Sequence, residues 1–251
     1  MPDGVVSYFI LFIVATFLGS FVAGLAGFAF GLVAAAIWLH ILTPLQTATL
    51  IVVYGLIVQG YAVWKLRRAL KWRRLLPLVI GGQIGIPLGI ELLRWMPAPT
   101  MRAIVGVALV AFSLYSLMRP KLPPMTAAGA MADGGAGVMS GIVGGATGLA
   151  GILPTIWASL RGWAKDEQRA VFQPVGVSIF IGCAFWLGGT GSFDRATLLL
   201  FLAGLPALFV GSWLGLRYYG RLDEATFRKV ILGLLLVAGL ALVAPLMRLT
   251  Y

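Results

Sequence analysis

Charge is scarce in this sequence and unevenly placed. Only 11% of its 251 residues are charged, against 60% hydrophobic, and the mean hydropathy is +0.98. A soluble domain usually carries ~25% charged residues. No lysine or arginine precedes Lys65, and Asp3 is the only formal charge before it. Apolar runs of that length have no soluble solution, so the chain reads as a polytopic membrane protein. Cysteine occurs once, as Cys183 in an apolar run, which excludes an internal disulfide or a thiolate metal cluster and leaves a small packing residue. With one histidine, one cysteine and neither H-E-x-x-H nor G-x-S-x-G, an enzyme's nucleophile–base pair or metal set is missing. No cofactor and no metal are therefore expected. A basic n-region is also lacking in MPDGVVSYF, so the first apolar segment is read as a permanent part of the fold and not as a signal peptide.

What is present is a row of apolar segments, near 5–42, 45–64, 75–94, 101–118, 125–160, 170–188, 197–218 and 229–247. Most approach the ~20 residues of one spanning helix. Two are too long: 5–42 and 125–160 would each reach ~54–57 Å as straight helices, against ~30 Å of hydrocarbon. Each contains a glycine-rich stretch near its middle, GLAGFAFG from Gly24 and GGATGLAG from Gly144.

The chain is also an internal repeat. Gly27 pairs with Gly148 and Ala48 with Ala170, at offsets of 121 and 122. Gly85, Gly89, Thr100 and Arg102 match Gly211, Gly215, Thr226 and Arg228, all at offset 126. This predicts a membrane repeat over 1–120 and a second over 121–251. The formal charge of +11 comes from 19 basic residues against 8 acidic ones, spread over short loops, which fits the positive-inside rule and not nucleic-acid binding. If each overlong segment crossed once, the basic residues would split ten to nine between the two sides. If each turns at its glycines and returns, only Arg94, Arg102, Arg195 and Arg248 stay outside and the split is fifteen to four. The second arrangement is preferred. It predicts an all-α fold of two inverted repeats, each a Gly-tipped broken-helix hairpin followed by three transmembrane helices, 8–10 helices in total, with both termini extracytoplasmic. Whether the hairpins cross fully or are re-entrant stays open. Trp64, Trp72, Trp95 and Trp163 flank loops, as interfacial aromatics do.

Broken helices in inverted-repeat transporters place half-helix N-termini, with free N–H groups, where an anionic substrate can meet them. Glycine supplies the turn and leaves the backbone open to a ligand. Gly27, Phe28 and Gly31 in the first hairpin and Gly148, Gly151 and Pro154 in the second are the candidate substrate-binding positions. Two such tips, one per half, would surround one small anion across the pseudo-twofold axis. Thr147 either donates to the anion or bonds back to its own helix. Gln173, before Pro174, either faces the second tip or makes an interhelical hydrogen bond, the expectation also for Gln59 and Gln83. Gly81, Gly85 and Gly89, with Gly211 and Gly215, read as close-packing positions. Glu91 is expected to neutralise Arg94, and His40 to be interfacial. Asp133 is either a proton-coupling carboxylate or an acid near the inner membrane surface.

GLAGFAFG followed by LTPLQTATL, and SGIVGGATGLAGILPTIWASLRGWAKDEQRAVF, resemble the sulfite exporter TauE/SafE family of bacterial anion transporters. Pro154 keeps the proline usual after the glycines, whereas Leu32-Val33 in the first copy has none nearby. The resemblance, from about residue 15 to 247, implies export of sulfite or a short organosulfonate across the bacterial plasma membrane. It carries over Gly27, Gly31, Gly148, Gly151 and Pro154 as site positions. The partners it implies are a small anion and the lipid bilayer; a homo-oligomer is compatible with the sequence. The interior-negative potential favours anion exit by ~2.3 kcal/mol per charge per 100 mV, so no coupled ion is required. A proton- or cation-coupled importer of a small organic anion, and a non-transporting membrane subunit, are the alternatives.

Overall fold

A computed structural model describes residues 2–26, 29–66, 70–118, 125, 128–163, 165–189, 191–192, 194–218 and 224–248. These form ten helices and no strand: α1 Pro2–Ala26, α2 Phe30–Ile41, α3 Pro44–Leu66, α4 Trp72–Trp95, α5 Ala98–Met118, α6 Ala130–Thr147, α7 Ile152–Leu160, α8 Lys165–Gly189, α9 Arg195–Tyr218 and α10 Glu224–Arg248. Five are long and apolar enough to cross a membrane: α1 over Val6–Leu25, α4, α5, α8 over Ala170–Gly189, and α9. The all-α fold expected from the sequence is the fold observed.

Both overlong segments are divided into two helices, the second of them at its glycines. The first divides into α1 and α2, of 25 and 12 residues, and the second into α6 and α7, of 18 and 9. At 1.5 Å per residue the leading arms are ~37 and ~27 Å long, near or beyond the hydrocarbon thickness. The returning arms, at ~18 and ~14 Å, are too short to cross it.

The helices gather into two compact units, each drawing on both sides of residue 120. Unit 1 comprises Met1–Thr47, Met96–Pro120 and Asp194–Tyr251; unit 2 comprises Ala48–Trp95 and Lys121–Phe193. A repeat in sequence and a compact unit in space are different partitions of the chain.

In unit 1, α1 packs on α9 and α2, and α5 on α10. Gly211 and Gly215 admit the backbone of α1: a Cβ at either would run into the carbonyl oxygen of Phe17 or Phe21. The α5/α10 crossing is reciprocal, since a Cβ on Gly106 would lie 2.8 Å from the Gly239 oxygen and the converse holds at 2.8 Å. Phe12 stacks on Trp38 at 5.2 Å between ring centroids, Phe30 meets Trp38 edge-on at 5.9 Å, and all three rings are buried.

Unit 2 repeats this logic with more glycine. Gly81, Gly85 and Gly89 of α4 face the carbonyls of Gly134, Val138 and Ile142 on α6, and Gly137 and Gly141 of α6 face those of Leu78 and Gly82. Small residues on both sides let the backbones touch, which is how membrane helices gain packing energy without a hydrophobic drive. The close-packing expectation for Gly81, Gly85, Gly89, Gly211 and Gly215 is met. Gln83 Nε2 donates to the Ser178 carbonyl at 2.8 Å, linking α4 to α8 as anticipated.

Gly85→Val should overpack the α4/α6 crossing and cost ~1–3 kcal/mol or more. Gly233→Ala on α10, where a Cβ meets nothing within 4 Å, should be neutral or slightly stabilising. Thermal unfolding in detergent checks both; equal melting temperatures would contradict the packing assignment.

Candidate anion site at the broken helices

The second hairpin shows how the chain turns inside an apolar segment. Gly148 ends α6 in the left-handed region, at φ 74°, and its N–H donates to the Gly144 carbonyl at 2.8 Å. This is a helix stop that glycine allows at no steric cost. The position is also tightly packed, since a Cβ there would lie 3.1 Å from Ile51 and 3.2 Å from the Ala48 oxygen of α3. The Thr147 hydroxyl donates to the Val143 carbonyl at 2.6 Å and accepts the Leu149 N–H at 3.1 Å. Of the two roles open to Thr147, the observed geometry is the bond to its own helix.

α7 then starts at Gly151, which has no side-chain cap. A helix's first turn has N–H groups with no carbonyl one turn earlier, and together they carry roughly half a positive charge. The Ile152 N–H reaches only the Leu149 carbonyl, at 3.4 Å, and Pro154 has no N–H to offer. Leu149, Ala150, Ile152 and Pro154 are buried, so bulk water does not reach this end freely. A Cβ on Gly151 would meet nothing within 4 Å. The packed glycine therefore makes the turn, and the open one starts the short helix.

In unit 1, α2 starts the same way. Its N-cap, Ala29, has no side-chain hydrogen bond to give, and φ 79° there is the only positive value on a non-glycine among the described residues. An alanine held left-handed costs of order 1–2 kcal/mol. Phe30 is fully buried and Gly31 half-buried in the first turn. Gly27 and Phe28 lie outside the described residues.

Gln173 is buried on α8, which runs unbroken through Pro174 and packs against α7. Gln59 is buried on α3, its Oε1 3.4 Å from where a Gly176 Cβ would sit. On α3 the Thr49 hydroxyl is buried without a hydrogen-bond partner, between the two residues that line Gly148. The sequence offered no signal for Thr49, because threonine in an apolar helix usually bonds back to its own backbone.

The other end of the second hairpin is clasped. The Met125 N–H donates to the Leu160 carbonyl at 2.8 Å, and Arg161 Nη1 donates to the Met125 carbonyl at 2.7 Å. Asp133, buried, accepts a hydrogen bond from Trp157 Nε1 at 2.8 Å. The same Oδ1 lies 3.2 Å from Arg161 Nε, close enough for an ion pair but not aligned as a hydrogen bond. The two ends of 125–160 thus meet, and the segment returns to where it entered. Neighbouring loops agree: Lys71 Nζ and Arg74 Nη1 both bind Glu167, and Arg74 and Arg161 lie 5.0 and 5.6 Å from the Trp163 ring centroid. A single crossing of 125–160 would have put Lys71 and Glu167 on opposite membrane faces. Trp157, Arg161 and Glu167 escaped sequence reasoning, because their roles exist only once the hairpin has closed.

The family model described as Sulfite exporter TauE/SafE matches residues 11–242, nearly the whole chain. No curated protein and no solved structure gives a significant match.

Three outcomes follow from the geometry. Asp133→Ala removes the carboxylate beside a largely buried Arg161, which keeps the Met125 carbonyl and the Trp163 ring, and leaves Trp157 Nε1 without its acceptor. It should destabilise by ~1–3 kcal/mol, with Asp133→Asn milder because it keeps an acceptor for Trp157, and chemical unfolding in detergent measures both. Gly148→Ala should cost ~1–3 kcal/mol from its left-handed backbone and the Ile51 contact, read the same way. Hydrogen bonds from Lys71 and then Arg74 hold the Glu167 carboxyl below its usual range. Its stabilisation is present above the unfolded-state pKa and is lost as pH falls through the lowered folded value. Glu167→Gln should therefore lower the melting temperature slightly at pH 7, and the difference should vanish in acid once the pH has fallen below the lowered folded-state value.

Proposed function

Because the chain belongs to the sulfite exporter TauE/SafE family, a family of membrane transporters and not of enzymes, we propose that it exports sulfite or a short organosulfonate. Membership implies a multi-pass membrane protein that moves a sulfur-containing anion. The choice of anion, the site and the mechanism are our reading. One observation carries it: both short half-helices start in buried surroundings at a residue that cannot cap them, Ala29 and Gly151. In each, the positive end of the helix dipole has no side-chain cap, which suits an anionic acceptor.

In this reading the N-terminal turn of α2, with Gly27, Phe28 and Gly31, and that of α7, with Gly151 and Pro154, each offer backbone to an anion. Gly148 and Thr147 fix the turn that aims α7, and Gln173 and Thr49 complete the polar surroundings. Backbone dipoles bind without permanent charge, which suits an anion that must leave again. Transport proceeds by alternating access, with the membrane potential supplying ~2.3 kcal/mol per charge per 100 mV for exit. The halves 1–120 and 121–251 are inverted repeats; support comes from the equivalent pairings of α1 with α9 and α6 with α4. Both termini face outward from the bacterial plasma membrane, following the charge bias of the loops. The ion pair to Arg161 favours a structural part for Asp133 over proton coupling.

Proteoliposomes carrying only this protein, with a potassium–valinomycin potential of either sign, test the reading. Sulfite flux should follow the voltage and exceed sulfate and acetate flux. Gly151→Leu should reduce it at least tenfold with little change in melting temperature, and Asp133→Asn should leave the voltage-driven flux in place. No sulfite flux under either polarity, or flux that requires a proton gradient, would overturn it.

A further inference from the structure

A groove between α4 and α6 in unit 2 has no part in the transport reading. It has a volume of about 390 Å³ and is lined by apolar side chains, among them Leu76, Pro77, Ile80 and Ile84 of α4, with Gly134 and Val138 of α6. Leu76, Ile80 and Ile84 are all exposed, so the groove is open to whatever surrounds the helices. From residue 76 to 84 it runs ~12 Å along the helix axis, most of the ~15 Å hydrocarbon depth of one leaflet.

Arg73 stands at the head of this groove. It lies four, seven and eleven residues before Pro77, Ile80 and Ile84, which puts it on the same helix face. It is exposed and makes no ion pair or hydrogen bond among the described residues, whereas Lys71 and Arg74 on either side are both engaged by Glu167. Trp72 beside it is also exposed, at the terminus of a membrane-length helix where interfacial aromatics sit.

We propose that this groove is a binding site for an anionic phospholipid, with one acyl chain along α4 and α6 and the headgroup phosphate at Arg73. The two halves of the site have the two chemistries of that ligand: a guanidinium suited to phosphate, and an apolar channel of nearly leaflet depth. The charge bias of the loops places Arg73 on the cytoplasmic side, where juxtamembrane cations attract anionic lipid. Gly134 keeps the channel open, since a Cβ there would meet only the Pro77 oxygen, at 3.9 Å. Gly134 lines the groove, so a longer side chain at that position takes up part of its volume.

Native mass spectrometry of the detergent-purified protein, titrated with phosphatidylglycerol and phosphatidylcholine of identical chains, tests this. Wild type should bind one phosphatidylglycerol about fivefold more tightly than phosphatidylcholine, the factor expected of one interfacial cation. Arg73→Gln should abolish that preference and Arg73→Glu reverse it; the position is exposed, so neither variant endangers the fold. Gly134→Leu should weaken both lipids, while Gly135→Leu, at an exposed position with nothing within 4 Å of its Cβ, should change neither. Equal affinity for the two lipids in wild type, or wild-type binding by Arg73→Glu, would overturn the proposal. A loss of dimers on Gly134→Leu, with lipid binding unchanged, would assign the groove to a second copy of the chain instead. Lipid binding is read without any flux measurement, so failure here leaves the anion-export reading standing.

Discussion

A backbone N–H or carbonyl without a partner costs several kcal/mol inside hydrocarbon, and this chain breaks two helices within apolar segments all the same. The second hairpin treats the two ends of its break differently. On the α6 side the groups are closed: Gly148 bonds to Gly144, and the Thr147 hydroxyl joins Val143 to Leu149. On the α7 side the helix starts with no cap, and Thr155 bonds back to the Gly151 carbonyl through both its N–H and its hydroxyl. The carbonyl at the turn is satisfied, while in the first turn the Ile152 N–H has only its long bond to Leu149 and no side chain caps the helix. Only the positive end of the break is on offer, and that end suits an anion.

An uncapped turn is useful only if it is held in place, and the surrounding packing provides that. The leading arm α6 lies backbone-to-backbone on α4 through facing glycines. Its far end is tied to α7 by the Met125, Asp133, Trp157 and Arg161 contacts. α3 closes on Gly148 through Ala48 and Ile51. With the arm, the base and the turn each fixed, the start of α7 has little freedom left, and a rigid second layer is what a backbone binding site requires. In unit 1, α1 meets α9 through the same kind of glycine contact. There α2 starts at a left-handed alanine, Ala29, whereas α7 starts at Gly151 with φ −90°, so the two helix starts are not chemically equal.

Much of this was legible in the chain. Length against hydrocarbon thickness called for breaks in 5–42 and 125–160, and the balance of basic residues called for a return path, which the bond between Met125 and Leu160 bears out for the second segment. Glycines four residues apart marked the close helix faces. The lengths of the returning arms were not readable, because α7 is apolar right up to its end at Leu160 and only Gly162, at φ 67°, and the clasp stop it. Nor was the partner of Asp133: its pairing with Arg161, 28 residues away, depends on the two arms being antiparallel and in register. The division into units that cut across residue 120 was equally hidden, since glycine spacing shows that a helix has a close neighbour and not which one.

In the proposed site backbone N–H groups, not side-chain charges, receive the anion. The direct measurement is a structure with bound selenite, the heavier and anomalously scattering counterpart of sulfite. It should show an anomalous peak within hydrogen-bonding distance of the first-turn N–H groups of α7 or α2, with no lysine or arginine in contact. A peak held only by basic side chains, with both helix starts empty, would contradict it.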